Sequence, residues 1–84
     1  MHTLIHVGFG NMINADKIIA ILQPDSAPVK RMVQHGKEEG LVVDATQGRK
    51  TKSVCLMENN RIVLSALTPE TLASRTEAEN GEKA

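Results

Sequence analysis

The sequence predicts a small, β-rich α+β domain of about five strands, one central helix and one C-terminal helix. Three observations carry that reading. Short β-branched apolar runs of strand length recur along the chain. Ser26-Ala27-Pro28 opens a stretch in which Val29, Met32 and Val33 fall at helical spacing. Two apolar runs flank Asn59-Asn60, a pair that accepts the positive φ of a tight hairpin turn.

Taken in order, Leu4-Ile5-His6-Val7 alternates as a first strand and stops at Gly8-Phe9-Gly10-Asn11, where two glycines free the backbone to turn. Lys17–Leu22 is the second strand, closed by Gln23-Pro24. Asp25 or Ser26 caps the central helix, and Pro28 is tolerated in its first turn. Gly36 weakens the second half of that helix and Gly40 ends it. Leu41–Thr46 reads as a third strand. Ser53–Glu58 and Arg61–Ala66 then form the hairpin, and a two-residue loop pairs Glu58 with Arg61, Met57 with Ile62, Leu56 with Val63 and Cys55 with Leu64. Thr68-Pro69-Glu70 starts the last helix, which runs through Leu72 and Ala73.

With 84 residues the chain holds one domain, assigned to 1–76, followed by a polar tail over 77–84 that is expected to fray. A chain of this size buries only roughly 60–65% of its unfolded surface and usually gains a disulfide, a metal or a partner chain. One cysteine makes no internal disulfide, and His2, His6 and His35 lack metal-ligand spacing, so no cofactor is expected. Apolar residues on both faces of the strands ask for more cover than two short helices give. That points to a homo-oligomer, unless the C-terminal helix covers the second face of a monomer. No apolar run is long enough to span a bilayer, no secretory signal is visible, and the lone thiol fits a reducing cytoplasm.

The chemistry-bearing residues are few. Arg49, Lys50 and Lys52 put three cations within four positions, with no acid between Asp44 and Glu58. Arginine offers a planar fork to phosphate and lysine a flexible point charge. Lys17, Lys30, Arg31 and Lys37 are placed to extend that patch. From spacing alone the cluster reads first as an ordinary solvated turn and second as a nucleic-acid contact, since short basic runs are common. With 10 basic against 10 acidic residues there is no global pull on a polyanion, so attraction must be local and gains strength if an oligomer repeats it. One aromatic residue argues against single-strand modules that stack bases on exposed rings. Cys55 sits among Val, Leu and Met as a packed thiol, Asp44 reads as a loop-orienting carboxylate, and no catalytic arrangement emerges. The chain is not expected to be an enzyme.

Gly8-Phe9-Gly10-Asn11-Met12, then Pro24–Pro28 with Lys30-Arg31, then Val43-Asp44-Ala45-Thr46 with Gly48-Arg49, resemble the RemA family of small bacterial regulators of extracellular-matrix and biofilm genes. The resemblance covers roughly residues 3 to 75. It implies a DNA-binding transcriptional regulator whose protomer is similar to the LytTR class of domains and assembles into a ring-like homo-oligomer. It also implies DNA contacts at Arg49, Lys50, Lys52, Arg31 and Lys17, with duplex DNA and further copies of the chain as partners. Lysine at Lys50 and at Lys17 keeps the charge and loses bidentate phosphate geometry. The alternative is a structural or protein-interaction oligomer, or an RNA-binding protein, whose basic cluster does not contact DNA.

Overall fold

A computed structural model describes residues 3–82, with side chains described up to Thr76. His2, and the side chains of the tail expected over 77–84, lie outside the described residues. Among the described residues the fold is α+β, with six strands in two sheets and two helices. The chain runs β1 (Leu4–Gly8), β2 (Asn11–Asn14), a 3-10 turn (Ala15–Lys17), β3 (Ile18–Leu22), α1 (Ala27–Glu38), β4 (Val42–Asp44), β5 (Ser53–Met57), a second 3-10 turn (Glu58–Asn60), β6 (Ile62–Ser65) and α2 (Pro69–Glu82).

Four strands form the central sheet in the order β3-β5-β6-β4, with β4 parallel to β6 and the other pairs antiparallel. β1 and β2 form a separate antiparallel hairpin. The second of these strands is a sixth that the sequence reading does not contain. It begins at Asn11, straight after the glycine turn, and its four residues Asn-Met-Ile-Asn carry too little alternation to announce a strand. Lys17, expected to open a strand, ends the 3-10 turn instead, and β3 starts at Ile18.

The β5–β6 hairpin forms as expected, one residue out of the expected register. Leu56 faces Ile62, Cys55 faces Val63 and Val54 faces Leu64. Asn59 and Asn60 both take positive φ, 64° and 62°, but Glu58 joins them in the loop and the Met57 amide bonds the Arg61 carbonyl. The loop is therefore three residues long. One step of register exchanges the faces of one strand relative to the other. Cys55, Met57 and Val63 thus share one face, and Val54, Leu56, Ile62 and Leu64 the other.

Each face has its own cover. Val29, Met32 and Val33 of α1 pack on Val54, Ile62 and Leu64. On the opposite face Val7 of β1 and Leu72 of α2 close over Cys55, Met57 and Val63, with Ile13 of β2 beside them. The second face is therefore covered within the protomer, by the β1–β2 hairpin together with the C-terminal helix that the sequence offered as the alternative cover.

Local chemistry writes α1 clearly. The Ser26 hydroxyl accepts the Val29 amide at 3.3 Å, and Gly40 takes φ +72°. The Gly40 amide then bonds the Lys37 carbonyl and the Leu41 amide bonds the Gly36 carbonyl, a Schellman stop. Gly36 proves to be a packing device: a Cβ there would lie 2.8 Å from Ile62 Cδ1 and 3.0 Å from Val42 Cγ2.

Candidate nucleic-acid interface

The loop from Asp44 to Lys52 is built by short-range bonds. The Asp44 carboxylate accepts the Thr46 amide at 2.9 Å and the Thr46 hydroxyl at 2.6 Å. These bonds hold the carboxyl below its ordinary range, and the charge of Lys37 adds to the effect. This is the loop-orienting role expected of Asp44. Gln47 and Gly48 then pass through positive φ, 55° and 78°, and the Arg49 amide returns to the Thr46 carbonyl at 2.9 Å. At the far end the Lys52 amide bonds the Ser65 carbonyl at 2.8 Å and feeds the chain into β5. Arg49, Lys50 and Lys52 are all exposed on this loop.

A second turn is brought against it. Ser65, fully buried on β6, donates its hydroxyl to the Val7 carbonyl at 2.7 Å and accepts the Leu67 amide at 3.1 Å. Ser53, opposite it on β5, donates to the Leu67 carbonyl. These bonds pin the β1–β2 turn over Ala66 and Leu67, beside the basic loop. Phe9 is half-exposed there, and the Arg49 guanidinium lies 5.9 Å from the centroid of its ring, within cation–π range. Phe9, Arg49, Lys50 and Lys52 line a cavity of about 480 Å³ together with Ala66 and Leu67, with no acidic side chain among the described residues of its lining.

Lys50 and Lys52 also line a smaller cavity with Asp25, Pro69 and Glu70, so acids adjoin the loop on that side. Lys30 and Lys37 of α1 line a third cavity with Thr51, which extends the basic surface along the helix. Arg31 is exposed on α1 and lines none of these three. Lys17 stands apart at the opposite end of β5, where it pairs with Glu58 at 3.4 Å. The structure thus joins Arg49, Lys50 and Lys52, adds Phe9, and leaves Arg31 and Lys17 outside the cluster. The sequence signal for Phe9 was its unusual place between two glycines. Its neighbourhood with Arg49, 40 positions away, has no local signal.

Cys55 is buried in the core and its thiol is pushed up to about 11 by loss of solvation, which keeps it a neutral packing group. No helix among the described residues is long and apolar enough to cross a membrane.

A family model described as RemA-like, extracellular matrix regulatory protein A-like, matches residues 4–76. A protein of Lachnoclostridium phytofermentans is 60% identical over 75 residues, covering 89% of this chain and 82% of the relative. One of Kosmotoga olearia is 53% identical over 75 residues, covering 89% and 76%. One of Alkaliphilus metalliredigens is 45% identical over 80 residues, covering 95% and 86%. All three carry a provisional name as a regulatory protein.

Proposed function

This chain belongs to the RemA-like family, and from that premise we propose that it is a homo-oligomeric transcriptional regulator that binds duplex DNA. The observation that carries the reading is the basic loop, which sets Arg49, Lys50 and Lys52 side by side on an exposed turn. Its cations meet phosphates, Arg49 with the fork geometry that the two lysines lack. Lys30 and Lys37 add charge along α1. Lys17 contributes through the DNA path only where phosphate outcompetes Glu58, and Arg31 only from a neighbouring face. The protein works by binding in the cytoplasm rather than by catalysis.

One protomer offers only a handful of phosphate contacts, and each neutralised phosphate adds about 0.9 to the salt slope. Repetition of the loop in an oligomer multiplies those contacts without new chemistry. Exposed Ile19 and Val43 on the two outer strands of the central sheet support self-association.

The test is a salt titration of duplex-DNA binding by the native protein and by Arg49→Ala/Lys50→Ala, with both sized by light scattering. The native protein should bind with a steep slope, and the equally sized variant with a shallow one or not at all. Absence of native binding at every salt concentration overturns the DNA reading. Loss of assembly in the variant assigns the cluster to subunit contacts instead. Competition by single-stranded RNA that exceeds duplex DNA assigns the loop to RNA.

A further inference from the structure

Phe9 occupies a position that its side chain does not favour. Gly8 pairs with Asn11 across the β1–β2 hairpin, so Phe9 and Gly10 are the two central residues of the turn. Both have positive φ, 55° and 79°, the signature of a type I′ turn. That turn selects Asn, Asp or Gly at its first central position, and a bulky residue there is strained. Strain kept at an exposed turn points to a use for the side chain.

Packing supplies no such use. Phe9 is 50% exposed and belongs to neither buried cluster. The Asn11 side chain closes the turn without it, by donating to the Gly8 carbonyl at 3.2 Å. What the geometry does achieve is placement. The chain's one aromatic ring is carried on a hairpin tip that Ser65 anchors, with a guanidinium at 5.9 Å and two lysines along the same cavity. An apolar plane flanked by cations suits a ligand that is apolar at its centre and anionic at its margins. A base step in duplex DNA has that form, with phosphates on either side.

We infer that Phe9 is a base-contacting residue: its ring meets the apolar surface of a base in the groove, where a thymine methyl is the favoured partner, while Arg49, Lys50 and Lys52 hold the flanking phosphates. This rests on the DNA reading above and adds the part of it that carries sequence preference. Phosphate contacts fix register and base contacts discriminate.

The experiment uses the full chain and duplexes that the native protein selects from a random-sequence pool. Phe9→Asn is the main variant because asparagine accepts this φ and leaves the hairpin folded. Phe9→Leu is the second, since it keeps an apolar contact. Both are sized by light scattering and checked by circular dichroism. Phe9→Asn should bind the selected duplexes about tenfold more weakly, with the native salt slope, and should lose the native preference for them over unselected DNA. Phe9→Leu should recover part of both. Native affinity and preference in Phe9→Asn overturn the inference. A shallower slope assigns Phe9 to positioning Arg49, and a change of size assigns it to assembly, so either also overturns it. If the native protein selects no duplex, the DNA reading itself fails.

Discussion

Asp44 accepts two bonds from Thr46, whose carbonyl in turn accepts the Arg49 amide. Replacement by Asn keeps an acceptor and removes the charge that Thr46 and Lys37 favour. The site is exposed, so the cost is modest, about 0.5–1 kcal/mol. Its pH dependence has a definite sign. The folded carboxyl titrates below the unfolded one, so its contribution is complete above the unfolded value near 3.8 and is lost as pH falls through the lower folded value. The melting-temperature gap between the native protein and Asp44→Asn should be constant from neutral pH down to about 5 and close below about 4. A gap that persists in acid removes the charge from the account. Ser65 works on the same scale. Its hydroxyl ties the hairpin to the central sheet, and no local pattern in Ile62-Val63-Leu64-Ser65 distinguishes it from an ordinary strand end.

Gly36 illustrates how an element is fitted to its neighbour. By helix propensity alone, Gly36→Ala would stabilise α1 by up to about 1 kcal/mol. The new Cβ, however, meets Ile62 and Val42 at 2.8 and 3.0 Å, and Ile62 is itself buried. Overpacking of this kind costs about 1–3 kcal/mol, so the variant should melt below the native protein despite its better helix. A higher melting temperature would show that α1 can lift from the sheet at no cost. The same contrast separates what was legible in the chain from what was not. α1 could be read because Ser26, Pro28 and Gly40 write its ends locally. The basic cluster could be read because its three residues fall within four positions. The register of β5–β6 could not, because Asn59-Asn60 fits a two-residue or a three-residue loop and apolar residues fill both faces of both strands. β2 and the company of Phe9 depend on a buried serine bonding a distant carbonyl, which no periodicity records.

At the scale of the molecule, the apolar surface left outside is what matters for assembly. Both faces of the central sheet are covered within the chain, so a lone protomer should stay folded. The outer strands β3 and β4 each pair on one side only within the described sheet, and they carry Ile19, 63% exposed, and Val43, 54% exposed. They lie at opposite ends of one sheet. A contact between β3 of one copy and β4 of the next joins two different surfaces, and such head-to-tail contacts close into rings or run on as filaments. Ile19→Glu puts a charge into that proposed contact without touching either core cluster. By light scattering the native protein should be larger than a protomer and the variant close to protomer size, with the two sharing a far-ultraviolet circular dichroism spectrum. DNA binding should respond in a distinctive way. Arg49, Lys50 and Lys52 remain on every copy, but the number that engage one duplex falls, so affinity and salt slope should drop together. A protomer-sized variant that keeps the native slope would mean that a single basic loop suffices, and the link between assembly and DNA binding would have to be abandoned.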